Sequence, residues 1–104
     1  MDGSDSVALQ ATDVWYYSPH DETAFFEWLG KIRAVRSFGG ELRTLEIVVS
    51  TPIDEESLRE LLALFRRYDI DMAPLRVLGH PAVDPWFHDP RKYWHTDVFG
   101  TPHG

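Results

Sequence analysis

The chain has 104 residues, of which 43% are hydrophobic and 13% aromatic, enough for one folded domain with a buried core and too much for a disordered chain. It contains no cysteine, which excludes disulfide bonds and thiolate chemistry. Seventeen acidic residues against ten basic ones give a net charge of −7. That charge argues against nucleic-acid binding and favours a basic protein partner, although acidity alone also keeps a small protein soluble.

No apolar run is long enough to span a membrane. The N-terminal stretch MDGSDSVALQ is acidic and polar, which is unlike a secretory signal. We therefore expect a cytoplasmic protein made of one domain, residues 1–104. In it, residues 1–6 are flexible, residues 7–79 form the core, and residues 80–104 form an irregular segment packed on that core.

The first predicted elements are a strand and a helix that follow one another directly. Residues 13–17, DVWYY, are aromatic and β-branched, which favours a strand. Ser18 then stands where a helix N-cap belongs, Pro19 suits the first helical position, and Asp21 completes a capping box. The glycine-containing stretch FGG at 38–40 predicts the end of this helix.

The same pattern returns in the second predicted strand and helix. Residues 45–49, LEIVV, predict the strand, with Thr51 as N-cap, Pro52 at the first helical position and Asp54 closing the box. An apolar stripe at helical spacing follows, formed by Leu58, Leu61, Leu62, Phe65 and Tyr68. The repetition therefore indicates two strand-to-helix junctions whose shared polar residues serve as caps. A functional role also stays open, because sites in open α/β sheets gather at the carboxyl ends of strands.

A third predicted strand, at residues 70–79, completes the fold prediction, with Pro74 confining it to an edge. Strands joined through helices usually run parallel. The order predicts a β-α-β-α-β domain of the α/β class, with a three-stranded, mostly parallel sheet and helices on one face. The alternative is a mixed sheet, in which residues 7–11 form an additional antiparallel strand.

The C-terminal quarter, residues 80–104, breaks the pattern with four prolines, four histidines and several aromatic residues. We expect a single helical turn near 90–94 and otherwise irregular structure. One interpretation is that Trp86, Phe87 and Trp94 cover the sheet face that the helices leave open. The other is that the aromatic residues form a recognition surface, because Trp and Tyr commonly anchor interfaces. Both interpretations can hold for different side chains.

Metal binding and catalysis find little support in the pattern. Potential metal ligands cluster at His80, Asp84, His88, Asp89, His95, Asp97 and His103. Their spacing matches no zinc motif, and there is no catalytic cysteine, no nucleophile elbow and no phosphate-binding loop. We predict no metal, no cofactor and no catalytic residue.

The chain is small and acidic, and it resembles a known class of proteins over residues 14–99. The resemblance lies in this format and in three stretches, DETAFFEWLGKI, SLRELLALFRRYDIDM and YWHTDVFG. The chain resembles the immunity proteins of bacterial toxin–immunity systems, such as those paired with contact-dependent inhibition toxins. The resemblance implies a non-enzymatic inhibitor that binds and neutralises a cognate basic toxin, such as a nuclease.

The surface that such an inhibitor would use is predicted from its charges and aromatic residues. Carboxylates would lie where substrate phosphates bind, and aromatic side chains would anchor the contact. The predicted partner-binding residues are Glu55, Glu56 and Glu60 on the outer face of the second helix, Asp69 and Asp71 beyond it, and the anchors Trp86, Tyr93 and Trp94.

Two other functions remain as alternatives. One is a small hydrolase that depends on a metal or on a His–Asp pair in the C-terminal segment, for which His88 and His95 are the candidates. The other is a homo-oligomeric regulatory module that self-associates through this segment. We favour a monomer that binds neither nucleic acid nor membrane.

Overall fold

The computed structural model describes residues 5–41, 43–79 and 84–100. Of the predicted flexible segment 1–6, residues 1–4 lie outside this range, and Asp5 and Ser6 belong to the first strand. In chain order the elements are β1 (Asp5–Thr12), α1 (Pro19–Lys31), β2 (Val35–Glu41), β3 (Thr44–Thr51), α2 (Glu55–Arg67), a 3₁₀ helix (Ala73–Val77) and α3 (His95–Phe99).

The sheet is three-stranded and antiparallel in the order β1-β3-β2, so the prediction of a mostly parallel sheet is wrong. The strands β1 and β2, which α1 connects, do share a direction, but β3 lies between them and runs the opposite way. This is a split β-α-β unit.

The difference arises at β2, because Gly39 and Gly40 predict the end of a helix from the sequence alone. Instead α1 ends at Lys31, and both glycines lie inside the strand. Glu41 pairs with Thr44, so β2 and β3 follow each other too closely for a crossover and have to pair antiparallel.

Two predicted strands are absent from the described structure. Residues 13–17 form a loop, because β1 comes earlier in the chain and pairs antiparallel with β3. The alternative correctly placed an antiparallel strand at residues 7–11, but its mixed sheet is wrong, since both strand pairings are antiparallel. Residues 70–79 contain the 3₁₀ helix instead of a strand, and the Asp71 carboxylate accepts a hydrogen bond of 3.1 Å from the Ala73 N–H at its start.

The capping prediction is confirmed for α1 and needs correction for α2. The Ser18 hydroxyl accepts the Asp21 N–H at 3.1 Å, as expected. In α2 the N-cap is Asp54, whose carboxylate accepts the Ser57 N–H at 3.0 Å. Thr51 is instead the last residue of β3, since the chain stays extended for longer than the repeat suggested.

Both long helices cover one face of the sheet. The buried core combines strand residues with helix residues, among them Leu9, Ile47, Val49, Phe25, Leu29, Leu58, Leu61, Leu62 and Phe65. The opposite face is exposed at Ser6, Ala8, Gln10 and Glu46. An antiparallel sheet tolerates such a solvated face because its alternate residues are small or polar.

The C-terminal segment packs against α2 and does not cover the open sheet face, contrary to expectation. Phe87 is fully buried, and Trp94 is 4% exposed, with its indole N–H donating a 2.9 Å hydrogen bond to the Phe87 carbonyl. The Arg59 guanidinium of α2 lies 4.2 Å from the ring centroid of Trp86. The helical turn expected near 90–94 lies instead at α3.

Within the part of the chain that the structure describes, no helix has the length and apolarity needed to cross a membrane.

Two glycines provide a matched test of this packing. A Cβ at Gly79 would overlap the Phe87 ring, whereas a Cβ at Gly30 in α1 would meet nothing within 4 Å. We expect Gly79→Ala to lower the free energy of unfolding by about 1–3 kcal/mol through overpacking. Gly30→Ala should raise it by up to about 1 kcal/mol, since alanine favours helix. Urea denaturation of both variants checks this, and a Gly79→Ala protein as stable as the Gly30→Ala protein would contradict it.

Candidate partner-binding surface

The predicted acidic face of α2 is neutral in net charge. Its exposed side chains are Glu55, Glu56, Arg59, Glu60, Arg66 and Arg67, with two acids in the first turn and two bases in the last. Two of the acids also have partners inside the protein. Glu55 accepts a 2.7 Å ion-pair hydrogen bond from Arg59, and Glu60 accepts the Trp28 indole N–H at 2.8 Å. Because these groups are already engaged, the face offers less negative charge to a partner than the sequence suggested.

The predicted aromatic anchors differ in how much of each reaches the surface. Tyr93 is 52% exposed, Trp86 is half-buried beside Arg59, and Trp94 is buried with its N–H bonded internally. Trp94 therefore serves the core, and only Tyr93 presents a largely open ring. A role for these residues in binding stays a prediction.

The two remaining predicted acids lie near the C-terminal end of α2. Asp69 and Asp71 line a cavity of about 220 Å³ together with Asp97 and Arg66, and Arg66 contacts Asp97 at 3.2 Å. Asp69 also lines a second cavity, whose other lining residues are not among the predicted partner-binding residues.

In the described C-terminal segment, the carboxylates of Asp89 and Asp97 pair with arginines and not with His88 or His95. Among the described residues, no group of three His, Asp or Glu could hold a metal ion, and His80 and His103 lie outside that range. Hydrogen bonds from Arg91 lower the pKa of the Asp89 carboxyl to about 2. The His88 ring stacks on Phe99, and its Nε2 is buried without a hydrogen-bond partner in the described segments.

A surface that the sequence reading missed is the aromatic loop, residues 13–17, between β1 and α1. Its side chains alternate in direction although it pairs with no strand in the described structure. Trp15 and Tyr17 point outward and are 68% and 88% exposed, while Val14 and Tyr16 pack against the core. The aromatic and β-branched residues that predicted a strand here therefore form an unpaired loop.

The base of the aromatic loop is held in place. Tyr16 makes edge contacts with Phe25 and Tyr68, with ring centroids 5.5 and 6.4 Å apart. The Tyr17 N–H, one residue before the N-cap, donates to the Asp21 carboxylate at 2.9 Å, which ties the loop to the first turn of α1. The exposed rings are thus presented from a fixed backbone.

Two cavities flank the aromatic loop, and together with it they form what we call the loop face. The first, about 450 Å³, is lined by Asp13, Trp15, Tyr17, Ser18, Asp21, Arg67, Tyr68 and Asp69. The second, about 840 Å³, lies between the loop, α1 and the β2–β3 hairpin, where Phe26 stacks on Phe38 with centroids 5.5 Å apart.

The loop face carries more negative than positive charge. The carboxylates in its two linings are Asp13, Asp21, Glu22 and Asp69, and the cations are Arg43 and Arg67. The ion pair between Arg43 and Asp13 spans 3.7 Å between exposed side chains, so it adds little stability. The exposed aromatic rings therefore lie beside carboxylates that outnumber the cations of the same linings.

Asp13 and Asp69 share an unusual backbone conformation. They are the two non-glycine residues with positive φ among the described residues, at 57° and 56°, and both line the first cavity. Asp69 ends α2 in a Schellman motif, in which the Ile70 N–H bonds the Phe65 carbonyl at 2.9 Å and the Asp69 N–H bonds the Arg66 carbonyl at 3.2 Å. Glycine is the favoured residue at this position, so aspartate is retained there at some cost in stability.

The chain matches no protein-family model, no curated protein and no solved structure.

Asp69 allows stability and charge to be separated. Asp69→Gly should raise the free energy of unfolding by about 0.5–1 kcal/mol, because glycine adopts positive φ without a Cβ penalty. Asp69→Asn should leave stability nearly unchanged, since asparagine also tolerates this conformation while losing the charge. Thermal and urea unfolding of both variants measure this. A destabilised Asp69→Gly protein would show that the carboxylate supports the fold.

Tyr16 gives the fold a specific sensitivity to alkali. Burial, assisted by the charge of Glu22, raises the pKa of Tyr16 to about 12. In the unfolded chain the phenol ionises near its ordinary pKa of 10.0, so its contribution to stability is complete below that pH and is lost as the pH rises towards 12. We expect the Tyr16→Phe protein to lose less stability than wild type between pH 10 and 12 in urea titrations. Equal losses in the two proteins would contradict this account.

Proposed function

We propose that this protein is a non-enzymatic inhibitor, of the immunity-protein class, that binds a basic protein toxin through the loop face. The observation that carries the proposal is the exposure of Trp15 and Tyr17 at 68% and 88% beside unbalanced carboxylates. The nature of the partner, a toxin with nuclease activity, rests on the resemblance to immunity proteins. The proposed compartment is the cytoplasm.

The loop face has the chemical parts that a tight protein contact needs. Large aromatic side chains near the centre of an interface supply most of its binding free energy. The carboxylates around them attract a positively charged surface and raise the rate of association. Because the aromatic loop is fixed at its base, little conformational entropy is lost on binding.

Inhibition would follow from the location of the positive charge on the surface of the partner. A nuclease binds phosphates in a basic cleft, so the surface of greatest positive potential lies at or beside its active site. The carboxylates of the loop face would occupy positions that substrate phosphates otherwise take. Binding at that cleft and exclusion of the nucleic acid are then the same event.

Self-association through the same rings is the second candidate, because exposed aromatic residues also favour contacts between copies. The excess of negative charge on the loop face opposes it, since two copies would bring like charges together. The hydrolase alternative is less favoured, because Asp89 and Asp97 pair with arginines and not with His88 or His95.

The test is capture of the partner with tagged wild-type protein from lysate of the producing cells, followed by measurement with the purified pair. We expect a basic protein in a one-to-one complex whose association slows as salt increases, and whose toxic activity the chain blocks. Trp15→Ala/Tyr17→Ala should weaken the complex about 100-fold or more, because each ring is placed as an interfacial hot spot. The matched control Glu56→Gln/Tyr93→Ala should change affinity by less than about fivefold.

Two outcomes would overturn the proposal. If the control variant lost affinity and the loop variant kept it, the partner would bind at α2 and the C-terminal segment. If light scattering showed a homodimer that the loop substitutions dissociate, and no other protein were captured, the rings would serve self-association.

A further inference from the structure

The first cavity of the loop face, about 450 Å³, is lined by both aromatic and acidic side chains. Trp15, Tyr17 and Tyr68 supply aromatic rings, and the carboxylates of Asp13, Asp21 and Asp69 surround them. An uncharged apolar ligand would leave the carboxylates without a partner, and an anion would be repelled. The lining therefore selects a cation that also has a flat or apolar surface.

The aromatic rings are arranged to accept such a cation. The Trp15 and Tyr17 centroids lie 6.5 Å apart with the ring planes at 75°, so the rings meet edge to face and this contact covers at most one face of one ring. Both side chains are otherwise largely exposed. A cation within about 6 Å of a ring centroid is attracted by the negative potential of the ring face. The same chain makes this contact internally, where Arg59 lies 4.2 Å from the Trp86 centroid.

The carboxylates have capacity for a further partner. Asp69 has no ion-pair partner among the described residues, and Asp13 makes only the exposed 3.7 Å contact with Arg43. A guanidinium group presents several N–H donors in one plane and stacks on aromatic faces, whereas an ammonium is a compact, strongly hydrated charge. A site that combines ring faces with separated carboxylates therefore fits arginine better than lysine.

We propose that this cavity receives an arginine side chain of the partner protein, with the guanidinium stacked on Trp15 or Tyr17 and hydrogen-bonded to Asp69 and Asp13. The proposal deepens the proposed function and rests on it for the source of the arginine. The affinity of the cavity for the side chain itself is a property of this chain alone. Arg67, on the rim of the cavity, opposes the incoming charge and limits that affinity.

The experiment is a titration of the full ¹⁵N-labelled chain with N-acetyl-argininamide, followed by NMR. The indole N–H signal of Trp15 is assigned by its disappearance in the Trp15→Phe protein. We expect saturable shifts of the Trp15 indole and of the Tyr17 and Asp69 amides. The neutral isostere N-acetyl-citrullinamide should produce none, and N-acetyl-lysinamide should bind more weakly than the arginine derivative.

Two substitutions provide the control, one that removes a negative charge from the cavity and one that removes a positive charge. Asp69→Asn removes an acceptor while tolerating the same backbone conformation, and it should weaken binding by up to about fivefold. Arg67→Gln removes the competing cation and should strengthen binding by a similar factor. Changes in opposite directions cannot result from partial unfolding, which would weaken binding in both variants.

Several outcomes would overturn the proposal. They are an absence of shifts at Trp15 and Tyr17, equal binding of citrulline or lysine derivatives, or stronger binding of tetramethylammonium than of the arginine derivative. The last result would indicate a site for methylated ammonium groups. Because the titration needs no partner, it tests the arginine site even if no toxin is captured. If a toxin is captured but the arginine derivative does not bind the free chain, the arginine site is refuted and the proposed function still holds.

Discussion

The single apolar face of the sheet is the constraint on which the other features depend. Large buried side chains such as Leu9, Ile47 and Val49 point to one side of β1 and β3, while the other side carries Ser, Ala, Gln and Glu. Both long helices have to pack on that apolar side, and the C-terminal segment extends the same core by packing against α2. The chain must therefore leave β1 at its end and cross to the helix side, and the aromatic loop is that connection.

The position of the connection explains why it combines core and surface chemistry. Asp13 turns the backbone out of the sheet through positive φ, and the alternation that follows places Tyr16 in the core and Trp15 and Tyr17 outside. Asp69 ends α2 with the same backbone conformation close by, so the end of one element and the start of another frame one cavity. The topology thus explains why the exposed rings of the aromatic loop and the excess of carboxylates beside them occur at one place on a fixed backbone.

The sequence predicted features that depend on local chemistry better than features that depend on pairing. The Ser18–Asp21 cap and the apolar stripe of α2 were predicted correctly, because both are set by residues close together in the chain. The strand β2 was missed because glycines 39 and 40 suit a strand only when β3 lies beside them. The composition of residues 13–17 does not reveal which of its aromatic rings point outward, because that depends on the elements packed around the loop. Trp94 was predicted as an anchor because the composition of an irregular segment does not distinguish buried from exposed aromatic side chains.

Oxidative footprinting of tryptophan and tyrosine with mass spectrometry, on the free chain and on its complex with the captured partner, tests the central claim most directly. The account predicts rapid oxidation of Trp15 and Tyr17 in the free protein and slow oxidation of Trp94, since only the first two are open to solvent. In the complex, Trp15 and Tyr17 should be protected while Tyr93 is unaffected. Protection of Tyr93 together with unchanged oxidation of Trp15 and Tyr17 would contradict the account and return the binding surface to α2 and the C-terminal segment.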